Sequence, residues 1–74
     1  MELTIKLFAS LRKYGKEKDK VNVPDGMTVR QLLQNRGVPL EEAPIVLING
    51  LRAEPEAVLK DGDGVSIFPL IGGG

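Results

Sequence analysis

The sequence predicts an α+β domain in which a single helix lies across one face of a mixed β-sheet. Three observations predict it. Apolar residues alternate with polar ones at the start of the chain, one segment carries helix signals at both ends, and several short apolar segments with turn residues follow it. At 74 residues the chain makes one domain near the lower end of what folds without staples. It has no cysteine, so neither a disulfide nor a thiolate metal site is available. The core must come from aliphatic packing, for which a hydrophobic content of 42% is ample.

Each element has its own signal. Leu3, Ile5 and Leu7 alternate with Glu2, Thr4 and Lys6, the period of a half-buried strand, and Phe8 continues the outward series. Val21 and Val23 stand between Lys20, Asn22 and Pro24 as a second strand, ended by Pro24-Asp25-Gly26. Residues 9–19 between them are polar, with Gly15 near the middle, and are expected to form a long connection with a helical turn. A helix is expected over about 28–36. Thr28 and Gln31 have capping-box spacing, Val29, Leu32 and Leu33 fall on one stripe, and Gly37 stands where a left-handed cap is needed. Ile45-Val46-Leu47-Ile48 is uninterrupted, which suggests a strand covered on both faces or nearly so. Asn49-Gly50 signals a two-residue hairpin, with a return strand over 51–54. Ala57 to Leu59 is expected to form a short helical turn, and Asp61-Gly62-Asp63-Gly64 a tight turn before the last strand, Val65 to Phe68.

Four to five strands with one helix after the first hairpin pack most simply as a β-grasp, with the first and last strands parallel at the centre of the sheet. The domain is therefore placed at residues 1–68. Residues 69–74 form a tail that leaves from the middle of the sheet.

Composition removes several function classes. Ten basic and ten acidic residues give a formal net charge of zero, whereas a nucleic-acid binder would carry a basic excess against phosphate. No apolar run reaches membrane-spanning length, and the first residues are unlike a signal peptide, so a cytoplasmic protein without nucleic-acid or membrane partners is expected. Histidine is absent as well as cysteine, which excludes Ser-His and Cys-His nucleophilic pairs and His-based zinc sites. Asp61 and Asp63 lack the other ligand positions of a calcium loop and read as turn residues. No metal site and no bound cofactor are expected. The run from Arg12 to Lys20 holds five cations and two anions, most simply a solvated loop, and Gly15-Lys16 lacks the spacing of a phosphate-binding loop.

The sequence ends Phe68-Pro69-Leu70-Ile71-Gly72-Gly73-Gly74, and the glycine run is expected to be the functional terminus. Glycine has no Cβ, so such a tail threads narrow channels. Six residues from Pro69 to Gly74 span roughly 20 Å when extended. Ordering them costs on the order of 1–2 kcal/mol per residue, and Leu70 and Ile71 are the candidate sources of offsetting contacts with a partner. Phe8 and Phe68, both on the outward series, either form an exposed patch that docks on a partner or are covered by loop residues. Leu51 either packs at the sheet edge, the preferred reading, or belongs to the docking face.

This tail, with Asp61-Gly62-Asp63-Gly64-Val65 before it and Leu7-Phe8-Ala9-Ser10-Leu11-Arg12 near the start, resembles the MoaD/ThiS family of ubiquitin-like sulfur carriers. The match covers essentially the whole chain in element order. The opening segment and the long first connection look more like the small subunit of molybdopterin synthase than the thiamine-pathway carrier. The resemblance implies a carrier rather than an enzyme. An E1-like adenylating enzyme would use ATP to activate the Gly74 carboxylate, and sulfur would then replace the adenylate to give a thiocarboxylate. The recipient would be the large subunit of molybdopterin synthase or an equivalent sulfur acceptor. Where the usual family ending has two glycines this sequence has three, so the function is carried onto Gly73 and Gly74, with Gly72 as added reach. Phe8, Phe68, Pro69, Leu70 and Ile71 are the partner-binding candidates. A protein modifier that forms isopeptides through the same carboxylate is a second function compatible with this tail, and a binding module with an incidental tail is a third.

Overall fold

A computed structural model describes residues 1–42 and 45–69. Strand β1 (Glu2–Leu7) buries Leu3, Ile5 and Leu7 and turns Glu2, Thr4 and Lys6 outward, as its alternation requires. It pairs antiparallel with β2 (Lys18–Asn22) and parallel with β5 (Gly64–Phe68). Strand β3 (Ile45–Ile48) pairs antiparallel with β5 on one side and with β4 (Leu51–Arg52) on the other. The sheet order is β2-β1-β5-β3-β4, so β5 is the central strand and its parallel partner is the first strand of the chain. One helix, α1 (Val29–Arg36), contributes Val29, Leu32 and Leu33 to a core shared with Leu3, Ile5, Leu7, Val46, Val65 and Ile67. This is the β-grasp arrangement. Each fully buried aliphatic side chain in such a core contributes roughly 1.5–3 kcal/mol relative to exposure.

Local chemistry fixes the helix ends. The Gln31 amide donates to Thr28 Oγ1 at 3.2 Å and the Thr28 amide donates to Gln31 Oε1 at 3.0 Å, the reciprocal capping box. Gly37 ends the helix at φ 75°, and the Val38 amide reaches back to the Leu33 carbonyl at 2.9 Å while the Val38 side chain is buried. At the β3–β4 hairpin Asn49 and Gly50 take φ 51° and 87°, the pair of positive values a two-residue turn demands.

The structure corrects five expectations. Strand β2 begins at Lys18, earlier than composition suggests, and ends before Val23. Pairing with the continuous edge of β1, out to Lys6 opposite Lys18, holds a polar segment that has little strand propensity of its own. Strand β3 is covered fully on one face only: Val46 is buried, whereas Ile45, Leu47 and Ile48 are partly exposed. Strand β4 is two residues long, although the Ala53 amide still donates to the Val46 carbonyl at 2.9 Å. Ala57 to Leu59 is extended rather than helical. Val58 bridges Thr28, the Val29 amide donates to the Ala57 carbonyl, and the Leu59 amide donates to the Met27 carbonyl, so the approach to α1 supplies strand-like partners that a helical turn would forgo. Leu51 does not pack at the edge; it is 74% exposed.

The long first connection does carry a helical turn, a 3-10 segment over Ala9–Tyr14 that buries Leu11. Its far end is tied down through Arg36, whose Nη2 donates to Asp19 Oδ2 at 3.1 Å with both side chains largely buried. A Cβ on Gly15 would lie 3.0 Å from that same guanidinium nitrogen, a tight approach that a side chain there would meet only by shifting Arg36.

Candidate docking face and tail exit

The helix covers one face of the sheet and leaves the other open. Pairing registers define what the open face presents. Lys18, Lys6, Ser66, Leu47 and Arg52 form one row across the five strands, because Lys6 stands opposite Lys18 and Ser66, and Leu47 opposite Ser66 and Arg52. The next row towards the chain's end holds Phe68 and its partner Ile45, with Phe8 just beyond the end of β1. Phe8 and Phe68 stack with ring centroids 4.2 Å apart and planes 13° from parallel, and both rings are half-buried. Both rings therefore stand on the outward series, stacked on each other and neither fully exposed nor fully buried. A stacked pair of this kind contributes about 0.5–1.5 kcal/mol beyond its buried area.

Two apolar contributors escaped the sequence reading. Ile45 and Leu47 sit on the open face beside Phe68 and Ser66, both partly exposed. Their alternation was the available signal, and it was hidden because β3 is apolar at every position. Together Phe8, Phe68, Ile45 and Leu47 make a continuous apolar strip at the end of the sheet where the chain leaves β5.

Pro69 is buried, so of the tail residues proposed for partner contact it packs against the domain body itself. Leu70, Ile71, Gly72, Gly73 and Gly74 lie outside the described residues. The opposite end of β5 is fixed by polar contacts. Asp63, buried, accepts from Asn49 Nδ2 at 3.0 Å and from the Lys60 amide at 2.8 Å, while Asn49 Oδ1 accepts from the Gly64 amide at 2.8 Å. Asp61 Oδ1 accepts from the Glu2 amide at 2.6 Å. The two aspartates thus brace the turn that feeds the central strand, as expected of turn residues. Among the described residues no group of three or more His, Cys, Asp or Glu side chains converges as a metal site.

Comparison with known proteins bears on the same architecture. The sequence model of the ThiS family matches residues 5–74, nearly the whole chain including the glycine end. The chain belongs to the ThiS family. Solved structures agree. SAMP1 from Haloferax volcanii is 28% identical with a TM-score of 0.76, and all of each chain is covered. The HVO 2177 protein of Haloferax volcanii is 30% identical with a TM-score of 0.80, covering 100% of this chain and 87% of that one. A putative molybdopterin converting factor subunit 1 from Pyrococcus furiosus is 25% identical with a TM-score of 0.76, covering 96% and 99%. No curated protein matches the sequence. This ThiS-family chain therefore has the ubiquitin-like build of a small carrier or modifier. No helix among the described residues is long and apolar enough to cross a membrane.

Proposed function

We propose that this ThiS-family protein is a sulfur carrier whose reacting group is the Gly74 carboxylate. The observation that carries the reading is positional: a glycine-ended tail follows directly on the central strand, beside an apolar strip built from a stacked aromatic pair. The strip docks an E1-like adenylating enzyme, and the tail reaches roughly 20 Å into that enzyme's active site. A carboxylate is a poor electrophile. Its oxygen displaces pyrophosphate from ATP held by the partner, giving an acyl adenylate, and a sulfur nucleophile then displaces AMP to leave a thiocarboxylate. The domain itself supplies no acid, base or nucleophile to these steps; it presents the tail and forms the docking face.

Sulfur delivery to molybdopterin, through the large subunit of a molybdopterin synthase, is the recipient pathway we favour. Its support is the Pyrococcus furiosus relative named as a putative molybdopterin converting factor subunit. A second reading, conjugation to lysines, is favoured by the small archaeal modifier protein 1 of Haloferax volcanii, 26% identical over 95% of this chain. Incubation with the E1-like enzyme of the same genome, ATP and a sulfide donor separates the two. The carrier reading expects AMP release that is lost when Gly73 and Gly74 are deleted, together with an oxygen-to-sulfur mass increase at Gly74. Lysine-linked adducts in place of a sulfur-bearing terminus would instead establish the modifier.

A further inference from the structure

We infer that the partner surface received by the open face carries an acidic rim, and that Lys6 and Lys18 are the residues that read it. This rests on the carrier reading above. The five strands place four cations on that face, Lys6, Lys18, Lys20 and Arg52, against the single carboxylate of Glu2, in a chain whose formal net charge is zero. Charge has thus been segregated onto the face that also carries the apolar strip. None of the four cations forms an ion pair with any described residue, whereas four of the six cations off that face, Arg12, Lys13, Arg30 and Arg36, do.

The placement of Lys6 is the informative part. The Leu7 amide donates to the Glu17 carbonyl at 2.9 Å and the Val23 amide to the Met1 carbonyl at 2.9 Å. Odd-numbered residues of β1 therefore occupy the hydrogen-bonded pairs. Lys6 and Lys18 consequently form a non-hydrogen-bonded pair, the type in which opposed side chains approach most closely, and Lys20 is the diagonal neighbour of Lys6. Like charges placed this way destabilise a sheet. Lysines on an exposed edge strand have an ordinary explanation, since they deter edge-to-edge pairing, and that accounts for Lys18 and Lys20. It does not account for Lys6, which lies on β1, an interior strand between β2 and β5. Glu17 lines the same cleft as the two lysines, but its carboxylate pairs with Arg12 at 2.9 Å. A cation pair left without an ion-pair partner beside a docking strip is a feature whose benefit appears when carboxylates from outside face it. Such rim charges act mainly by steering the encounter, which makes association sensitive to salt.

The test is steady-state adenylation of the protein by its E1-like enzyme, comparing wild type with the Lys6→Glu/Lys18→Glu double variant over a range of ionic strength. The double variant is expected to raise KM for the carrier by about tenfold or more at low salt, with kcat and KM for ATP unchanged. The gap is expected to narrow as the screening length falls below about 8 Å. Lys6→Arg/Lys18→Arg should retain wild-type KM. Lys6→Glu alone, which sets opposite charges face to face, should leave the fold intact and raise Tm by about 2–4 °C. An unchanged carrier KM, or one that changes without salt dependence, overturns the acidic rim and leaves the carrier reading standing. A rise in KM for ATP instead would assign the lysines to the nucleotide phosphates and equally overturn it. If wild type is not adenylated at all, the carrier reading falls and this inference with it.

Discussion

Phe68 is the residue on which the docking account turns, because it adjoins the tail and stacks on Phe8 at 4.2 Å. It is half-buried, so removing it costs the stacking contribution of about 0.5–1.5 kcal/mol together with the burial of part of the ring, short of the 3–5 kcal/mol of a core aromatic. Phe68→Ala is accordingly expected to lower Tm modestly while sharply raising the carrier KM for adenylation. A large fall in Tm with unchanged KM would place the ring in the core instead. Tyr14 offers a test of the first connection. Its hydroxyl donates to Glu42 Oε1 at 2.8 Å, and that bond, followed by desolvation, raises its pKa above the usual 10.0. The folded state therefore holds the phenol proton more tightly than the unfolded chain does. The resulting stability is fully present below the ordinary value and is lost as pH rises through the raised one. Tyr14 is the one tyrosine, so ultraviolet absorbance follows it directly. A midpoint above 10.0 that returns towards it in Glu42→Gln is the expected result.

Among the elements, α1 and β1 were legible in the sequence because each is specified by its own residues. Thr28, Gln31 and Gly37 mark the helix ends, and Leu3, Ile5 and Leu7 mark the buried face of the strand. The elements that were misplaced are those held by partners. Lys18 and Asp19 join β2 through the edge that β1 offers, and Val58 is extended because Thr28 pairs with it. The docking face was half legible: Phe8 and Phe68 stood out as the outward members of alternating strands. Ile45 and Leu47 did not, since only the registers with β5 and β4 decide which side of an all-apolar strand is outward. The brace at the start of β5 makes a further prediction at this scale. Asp63→Ala leaves the Lys60 amide and Asn49 Nδ2 without their acceptor, a loss of about 1–3 kcal/mol. Thermal unfolding should show a fall in Tm of at least about 4 °C. No change would mean that the turn is held by its backbone contacts alone.

For the whole molecule, the division of labour follows from topology. Parallel pairing of the first and last strands puts the exit of the chain at mid-sheet, and the helix on one face leaves the other for a partner. The carrier account therefore requires the scaffold to be chemically passive and the terminus to be active, so stability and function should separate. Shortening the tail at its glycines should leave melting unchanged, because the buried cluster of the described residues runs from Leu3 to Ile67. The most direct measurement of the central claim is the mass of the C-terminal peptide of the native protein, isolated from cells that make its activating enzyme. The account predicts an oxygen-to-sulfur mass increase confined to Gly74. A terminal peptide that carries only an ordinary carboxylate under conditions of active sulfur transfer, or that is linked to lysine side chains, would contradict it.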